Sequence, residues 1–188
     1  MSDILDHAIS GIDAGRDKSA VTVRTARLDD AAGLLKLMRA LDVETPFMIY
    51  GKGERGLSVE DVRNLLMEAG LVRGLSMFVA QAGPELAGYA LAVGGGLART
   101  RHCVRISALG VRRRWWRRGL GRAMLASVEQ WARGMGARRL ELETMAANDA
   151  AQNLYESMGF DLEGRRRRAF LVAGTWMDAL LMGKLLED

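Results

Sequence analysis

Two hydrophobic rhythms divide the chain. "VTVRTAR" (21–27) alternates apolar and polar positions, as a half-buried strand does. "LDDAAGLLKLMRALDVE" then moves to helical spacing: Leu34, Leu37, Met38 and Leu41 share one face, and acids occupy the first turn. "TPFMIYGKGERG" (45–56) is a Gly- and Pro-marked loop that carries apolar side chains. Ser58 with Asp61 predicts a capping box opening a second helix, "SVEDVRNLLMEAGLVR". Three strands come next, "LSMFVAQA", "ELAGYALAV" and "HCVRISALGV", punctuated by Gly83-Pro84 and Gly94-Gly95-Gly96. "GLGRAMLASVEQWARGMG" returns to helical spacing, with Leu120, Met124, Leu125, Val128 and Trp131 along its apolar face. The remainder predicts a short strand "RRLELET", a capped helix "NDAAQNLYESMGF" ending at Gly159, and a hairpin of "RRRRAFLV" and "TWMDALLMGKLL".

The order β-α-α-β-β-β-α-β-α-β-β predicts one α/β domain over residues 21–188, preceded by a flexible extension over residues 1–20. A length of 188 residues suits one domain with a full core, and 49% hydrophobic with 27% charged residues is ordinary for a soluble globular protein. No stretch reaches the roughly 20 apolar residues of a membrane span. The N-terminus lacks the basic start and apolar centre of a signal peptide. Cys103, the one cysteine, allows no intrachain disulfide, which fits a cytoplasmic location. The two histidines, His7 and His102, and Cys103 offer no metal-ligand spacing, so no metal is expected.

Charge changes this picture. The net charge of +4 conceals twelve arginines between Arg99 and Arg139 against the single acid Glu129, a concentration that implies an anionic partner. Its centre is "VRRRWWRRGLGRAML" (111–125), where a strand ends at Val111, a basic turn succeeds it, and Gly119-Leu120-Gly121 opens a helix. Glycines let backbone approach a ligand closely, and the first helical amides point outward without intrahelical acceptors. That is a recipe for holding phosphate. The competing reading is tight strand-helix packing by the glycines, with the arginines solvated. No G-x-G-x-x-G is present, because Met124 stands at the third glycine position, and no G-K-[ST] occurs.

Further on, "NDAAQNLYESMGF" (148–160) adds a second motif. Together the two segments resemble the cofactor-binding core of the GNAT superfamily of N-acetyltransferases. That pattern is Q/R-x-x-G-x-G/A followed by N-x-x-A-x-x-L-Y-x-x-x-G-F. Asn148, Ala151, Leu154, Tyr155, Gly159 and Phe160 match the second half in register, and the resemblance spans about residues 21–186. One position departs: Trp116 stands where Gln or Arg is usual, which removes a polar side chain and leaves the backbone donors intact. The resemblance implies a single domain with a central mixed, mostly antiparallel sheet of about seven strands flanked by about four helices.

It also implies acetyl-CoA as co-substrate. The pyrophosphate would lie on the amides from Arg117 to Arg122, a stretch including Arg118, Gly119, Leu120 and Gly121, with Trp116 at its edge. The side chains of Arg117, Arg118 and Arg122 stand ready for its charges, whereas Arg112, Arg113 and Arg114 are expected to extend into solvent. Backbone groups around Leu109 and Val111 would pair with the pantetheine arm as an added strand does. A backbone N–H there would also stabilise the oxyanion. Family members splay the strands that correspond to "ISALGV" and "RRLELET". Tyr155, otherwise a core tyrosine, becomes the expected general acid for the departing thiolate. Asn148 is expected to cap its helix and help position the cofactor.

The base stays open: Arg105 and Ser107 occupy the strand positions used by relatives, and Glu44, Glu141 and Glu143 remain candidates through water. His102 is expected to be a partly buried, structural histidine. For the acceptor, Phe47, Met48 and Tyr50 would supply apolar walls, and Glu44 or Glu54 would attract an ammonium group. The similarity extends to bacterial acetyltransferases of small amines and of protein N-termini. The leading expectation is therefore an N-acetyltransferase acting on a primary amine of a small molecule or peptide by direct attack in a ternary complex. A catalytically idle acetyl-CoA sensor and an arginine-rich nucleic-acid-binding module are the alternatives, the last disfavoured by the second motif. A homodimer is compatible with the sequence.

Overall fold

The computed structural model describes residues 21–186, so the extension expected over residues 1–20 lies outside the described residues. In chain order the elements are β1 (Val21–Thr25), α1 (Ala31–Glu44), α2 (Val59–Leu71), β2 (Leu75–Ala82), β3 (Glu85–Gly94) and β4 (Cys103–Val111). They continue with α3 (Leu120–Gly134), β5 (Arg139–Met145), α4 (Asp149–Ser157), β6 (Asp161–Val172) and β7 (Thr175–Leu185). The strands form one seven-stranded sheet in the order β1-β2-β3-β4-β5-β7-β6. Every neighbouring pair is antiparallel except β4 and β5, which run parallel across the α3 crossover.

Alternation along the central strands sends side chains to two cores. On one face Phe78 and Ala80 of β2 and Val104 and Ile106 of β4 meet Leu120, Met124, Leu125 and Val128 of α3. On the other, Met77 and Val79 of β2 and Tyr89 of β3 meet Leu34, Leu37, Met38 and Leu41 of α1 and Val62 and Leu66 of α2. β2 is buried on both sides, which explains its nearly unbroken apolar sequence.

Local chemistry sets the helix starts. Ser58 and Asp61 make the expected capping box: Asp61 N–H donates to Ser58 Oγ at 3.1 Å, and Ser58 N–H to Asp61 Oδ2 at 2.7 Å. The first helix begins with a separate 3-10 turn, Leu28–Asp30, because Asp30 is held by bidentate bonds from Arg24 at 2.7 and 2.8 Å. β6 starts at Asp161, four residues before the basic run that marks it in sequence, because Asp161 and Leu162 already pair with Gly183 and Met182.

Candidate active site

The decisive irregularity lies in β4. Against β3, Leu91 pairs with Ala108 but the next residue, Ala92, pairs with Ile106, which leaves Ser107 as an extra residue. Such a bulge bends the strand and re-aims the side chains beyond it. Ile106 faces the α3 core, while Ala108 packs with the α1 core instead. The β4–β5 ladder also stops there: its last pair is Ile106 with Leu142. Beyond it, Ala108–Val111 keeps β3 as a partner, but Ser107–Val111 has no partner on the β5 side, so the strands splay and one backbone edge is open.

The chain then turns into α3. Arg112 N–H donates to Ala87 O at 2.9 Å, Arg113–Trp115 form a 3-10 turn, and Trp116 Nε1–H donates to Val111 O at 2.6 Å. Gly119 caps α3 with φ +81°, a left-handed conformation that other residues adopt only with strain. The first bond into the helix runs from Ala123 N–H to Gly119 O at 3.0 Å, so the amides of Leu120, Gly121 and Arg122 have no helical acceptor. Gly121 serves a second purpose: a Cβ there would lie 2.8 Å from Leu154 Cδ2, so its absence lets α3 sit closely on α4.

These elements border a cleft of about 710 Å³. Of the residues singled out in the sequence, Leu109, Val111, Trp116, Arg117, Gly119, Leu120, Gly121, Arg122, Asn148, Tyr155, Phe47 and Met48 line it; Arg118, Glu44 and Tyr50 do not. Sequence reasoning missed Thr45, Gly110 and Trp115 as lining residues. The Trp115-Trp116 pair was the available signal for the last. Trp115 is buried, and its Nε1–H has no acceptor among the described residues.

Tyr155, on α4, lines the same cleft, only 7% exposed, with its ring 5.9 Å from that of Phe160. Burial pushes its phenol up to about 12, because the phenolate would lose its hydration. Asn148 caps α4: its Oδ1 accepts from Ala151 N–H at 3.2 Å.

The arginines divide their labour differently from expectation. Arg112, Arg113 and Arg114 are not simply solvated. Arg112 Nε donates to Glu44 at 2.6 Å, Arg113 donates to the Glu44 carbonyl at 2.8 Å, and Arg114 pairs with Glu85. Arg122 donates to Ser157 Oγ at 2.9 Å, tying α3 to the end of α4, so its guanidinium is engaged while its backbone amide has no helical acceptor. Arg118 lies over the Trp115 ring at 5.0 Å.

The acceptor side also differs. Glu44 is engaged by Arg112 and Arg113 rather than facing an incoming ammonium. Tyr50 lies beneath the Arg55 guanidinium at 4.3 Å, outside the cleft. His102 is exposed, not partly buried, because it sits in the turn before β4 where its carbonyl serves Arg138 and Arg139. Glu141 pairs with Arg105 at 2.6 Å and Glu143 with Arg166 at 3.1 Å. Despite its burial, the Arg105 guanidinium holds the Glu141 carboxyl below its usual range, a poor setting for a base. Burial and the neighbouring Glu141 push the Cys103 thiol up to about 11, away from the thiolate a nucleophile needs.

A model of the acetyltransferase (GNAT) family matches residues 39–160. The chain belongs to this family. N-alpha-acetyltransferase RimI of Mycobacterium tuberculosis is 37% identical over 99 residues, covering 50% of this chain and 58% of that relative. The match thus spans well under two thirds of that relative's length. A GNAT-family acetyltransferase from Streptococcus pneumoniae superposes with TM-score 0.83 at 28% identity, covering 89% of this chain and 99% of that one. Ribosomal-protein-alanine N-acetyltransferase from Brucella melitensis gives 0.77 at 25% identity, covering 87% and 99%.

Proposed function

We propose that the chain transfers an acetyl group from acetyl-CoA to the α-amine of a protein or peptide N-terminus, by direct attack in a ternary complex. The observation that carries this is the coincidence of three features in one cleft: the open β4 edge, the free α3 amides and Tyr155. The RimI-like relative supports the α-amine over a small-molecule amine.

The residues present suit the co-substrate. The amides of Leu120, Gly121 and Arg122, at the positive end of the α3 dipole, would hold the diphosphate. Arg117 lines that part of the cleft and would add charge-assisted contacts. The open edge of Ser107–Val111 would bind the pantetheine amides in the manner of an added strand. When bound, acetyl-CoA supplies an activated acetyl group and a thiolate leaving group.

Tyr155 holds its proton at every working pH, since its phenol is pushed up to about 12. Full transfer of that proton to a thiolate, whose reference pKa is about 8.5, runs uphill. The phenol therefore acts as a hydrogen-bond donor that stabilises the departing sulfur, a refinement of the general-acid expectation. On the acceptor side, Thr45, Phe47 and Met48 form the wall, and Asp149 is the one carboxylate that lines the cleft among the described residues. Among the described residues, no histidine lines the cleft. The amine must then shed its proton largely to water. An α-amine, with reference pKa about 7.7–8.0, is free at neutral pH in a fraction roughly 300-fold larger than a lysine side chain at about 10.4. This chemistry selects N-termini. The arginine run is largely consumed by intramolecular partners, which weakens the nucleic-acid reading.

The test monitors thiol release with matched peptides, one with a free N-terminus and one with a blocked N-terminus and an internal lysine. The reading expects turnover on the first, with kcat/KM rising with pH until the α-amine is neutral. Turnover confined to the lysine peptide, or none with any amine despite tight CoA binding, contradicts it.

A further inference from the structure

Glu44 ends α1 and begins the loop that supplies Thr45, Phe47 and Met48 to the cleft wall. Its carboxylate reaches the entry of the basic turn, 68 residues away in sequence: Oε1 accepts from Arg112 Nε at 2.6 Å. Oε2 accepts from the Arg113 backbone N–H at 2.8 Å, and the Glu44 carbonyl accepts from the Arg113 guanidinium at 2.8 Å. Arg113 also lies over the Trp116 ring at 5.5 Å, and Trp116 is itself tied to the Val111 carbonyl. The Glu44 and Arg112 side chains are only 22% and 24% exposed, so solvent screens their attraction less than that of a surface pair.

We propose that Glu44 is a positioning residue, a strut that makes the acceptor loop and the cofactor turn move as one unit. The inference rests on the reading that the turn binds CoA. A ligand that fixes the turn from Arg112 to Gly119 fixes Glu44 through three hydrogen bonds, and with it the start of the loop. An acceptor arriving later meets a wall already ordered, so the two ligands bind with positive coupling. Each half keeps its own local bonds without the strut: Thr45 N–H still donates to Leu41 O at 3.2 Å, and α3 still carries its Gly119 cap. Removing Glu44 should therefore uncouple the halves rather than dissolve either.

The test is amide hydrogen exchange over residues 45–50 in the full chain, with and without saturating CoA, for the wild type, Glu44→Gln and Glu44→Ala. Calorimetry establishes CoA saturation for each. CoA should slow exchange in the wild type by roughly 5-fold or more, the lower end of ordinary coupling. Glu44→Ala should abolish that slowing at saturation. Glu44→Gln, which keeps an acceptor oxygen but loses the charge, should retain part of it. Equal slowing in all three proteins overturns the strut, because the cofactor would then be touching the loop directly. Absence of slowing in CoA-saturated wild type overturns it as well. A wild type that does not bind CoA defeats the proposed function first, and the strut with it. Should Glu44→Ala not fold, Glu44→Gln and Arg112→Lys carry the same comparison.

Discussion

On the α3 side of the cleft, the free polar groups are backbone amides fixed by a helix start and a strand edge. On the α1 side they are loop side chains whose position depends on ion pairs reaching distant parts of the chain. Glu44 bonds to Arg112 and Arg113, and Asp42 holds Arg55 through bonds of 2.7 and 2.8 Å. Apart from Gly119 and Gly121, the first construction tolerates changes of side chain, since amides remain whatever residue carries them. The second is exposed to single substitutions.

The largest expected effect breaks the side-chain half alone. The Arg55 and Asp42 side chains are 5% and 2% exposed, so Arg55→Ala strands a buried carboxylate and should cost about 3–5 kcal/mol in chemical denaturation. The folded fraction should keep its CoA affinity. Equal loss of stability and CoA affinity would erase the distinction between the halves.

Next in size is Tyr155→Phe, which removes one oxygen and keeps the packing on Phe160. Turnover should fall by roughly 10²–10³-fold, as when one preorganised donor is lost, while calorimetric CoA affinity holds. Wild-type turnover with chemistry rate-limiting would return Tyr155 to a packing role.

The same residue makes a pH signature. Its folded-state phenol is raised from 10.0 to about 12, so the unfolded chain ionises first and binds fewer protons in that window. Stability should hold below about pH 10 and fall as pH rises toward 12, by about 1.4 kcal/mol per unit at most. Denaturation of Tyr155→Phe should lack this component. Identical alkaline curves for the two proteins would refute the burial argument.

The smallest effect sharpens the backbone half. Gly119 has φ +81° with open space where a Cβ would stand, so Gly119→Ala meets conformational strain of about 1–2 kcal/mol and no clash. Its melting temperature should drop while an Ala at Gly134, inside the last turn of α3, should be neutral or stabilising. Equal responses would mean that the helix start is not built on the left-handed cap.

Legibility in the sequence divides along the same line. The Ser58–Asp61 capping box, the Asn148 cap and the glycine turn act over a few residues, so their spacing records them. The splay is less visible, because the Ser107 bulge is defined only against the register of β3. The arginine run announces positive charge but not its destination: Glu44, Glu85 and Ser157 belong to remote elements. Glu44 reads as a ligand for an ammonium because a lone acid beside a loop carries no mark of the partner it will meet.

Whether the α3 amides hold a diphosphate is decided by calorimetry of two related ligands. CoA and pantetheine share the thiol arm but only CoA carries the phosphates. The account predicts that CoA binds the wild-type chain at least roughly 100-fold more tightly, through charge-assisted bonds to the helix start and Arg117. Equal affinity for the two, or binding of neither, would contradict it.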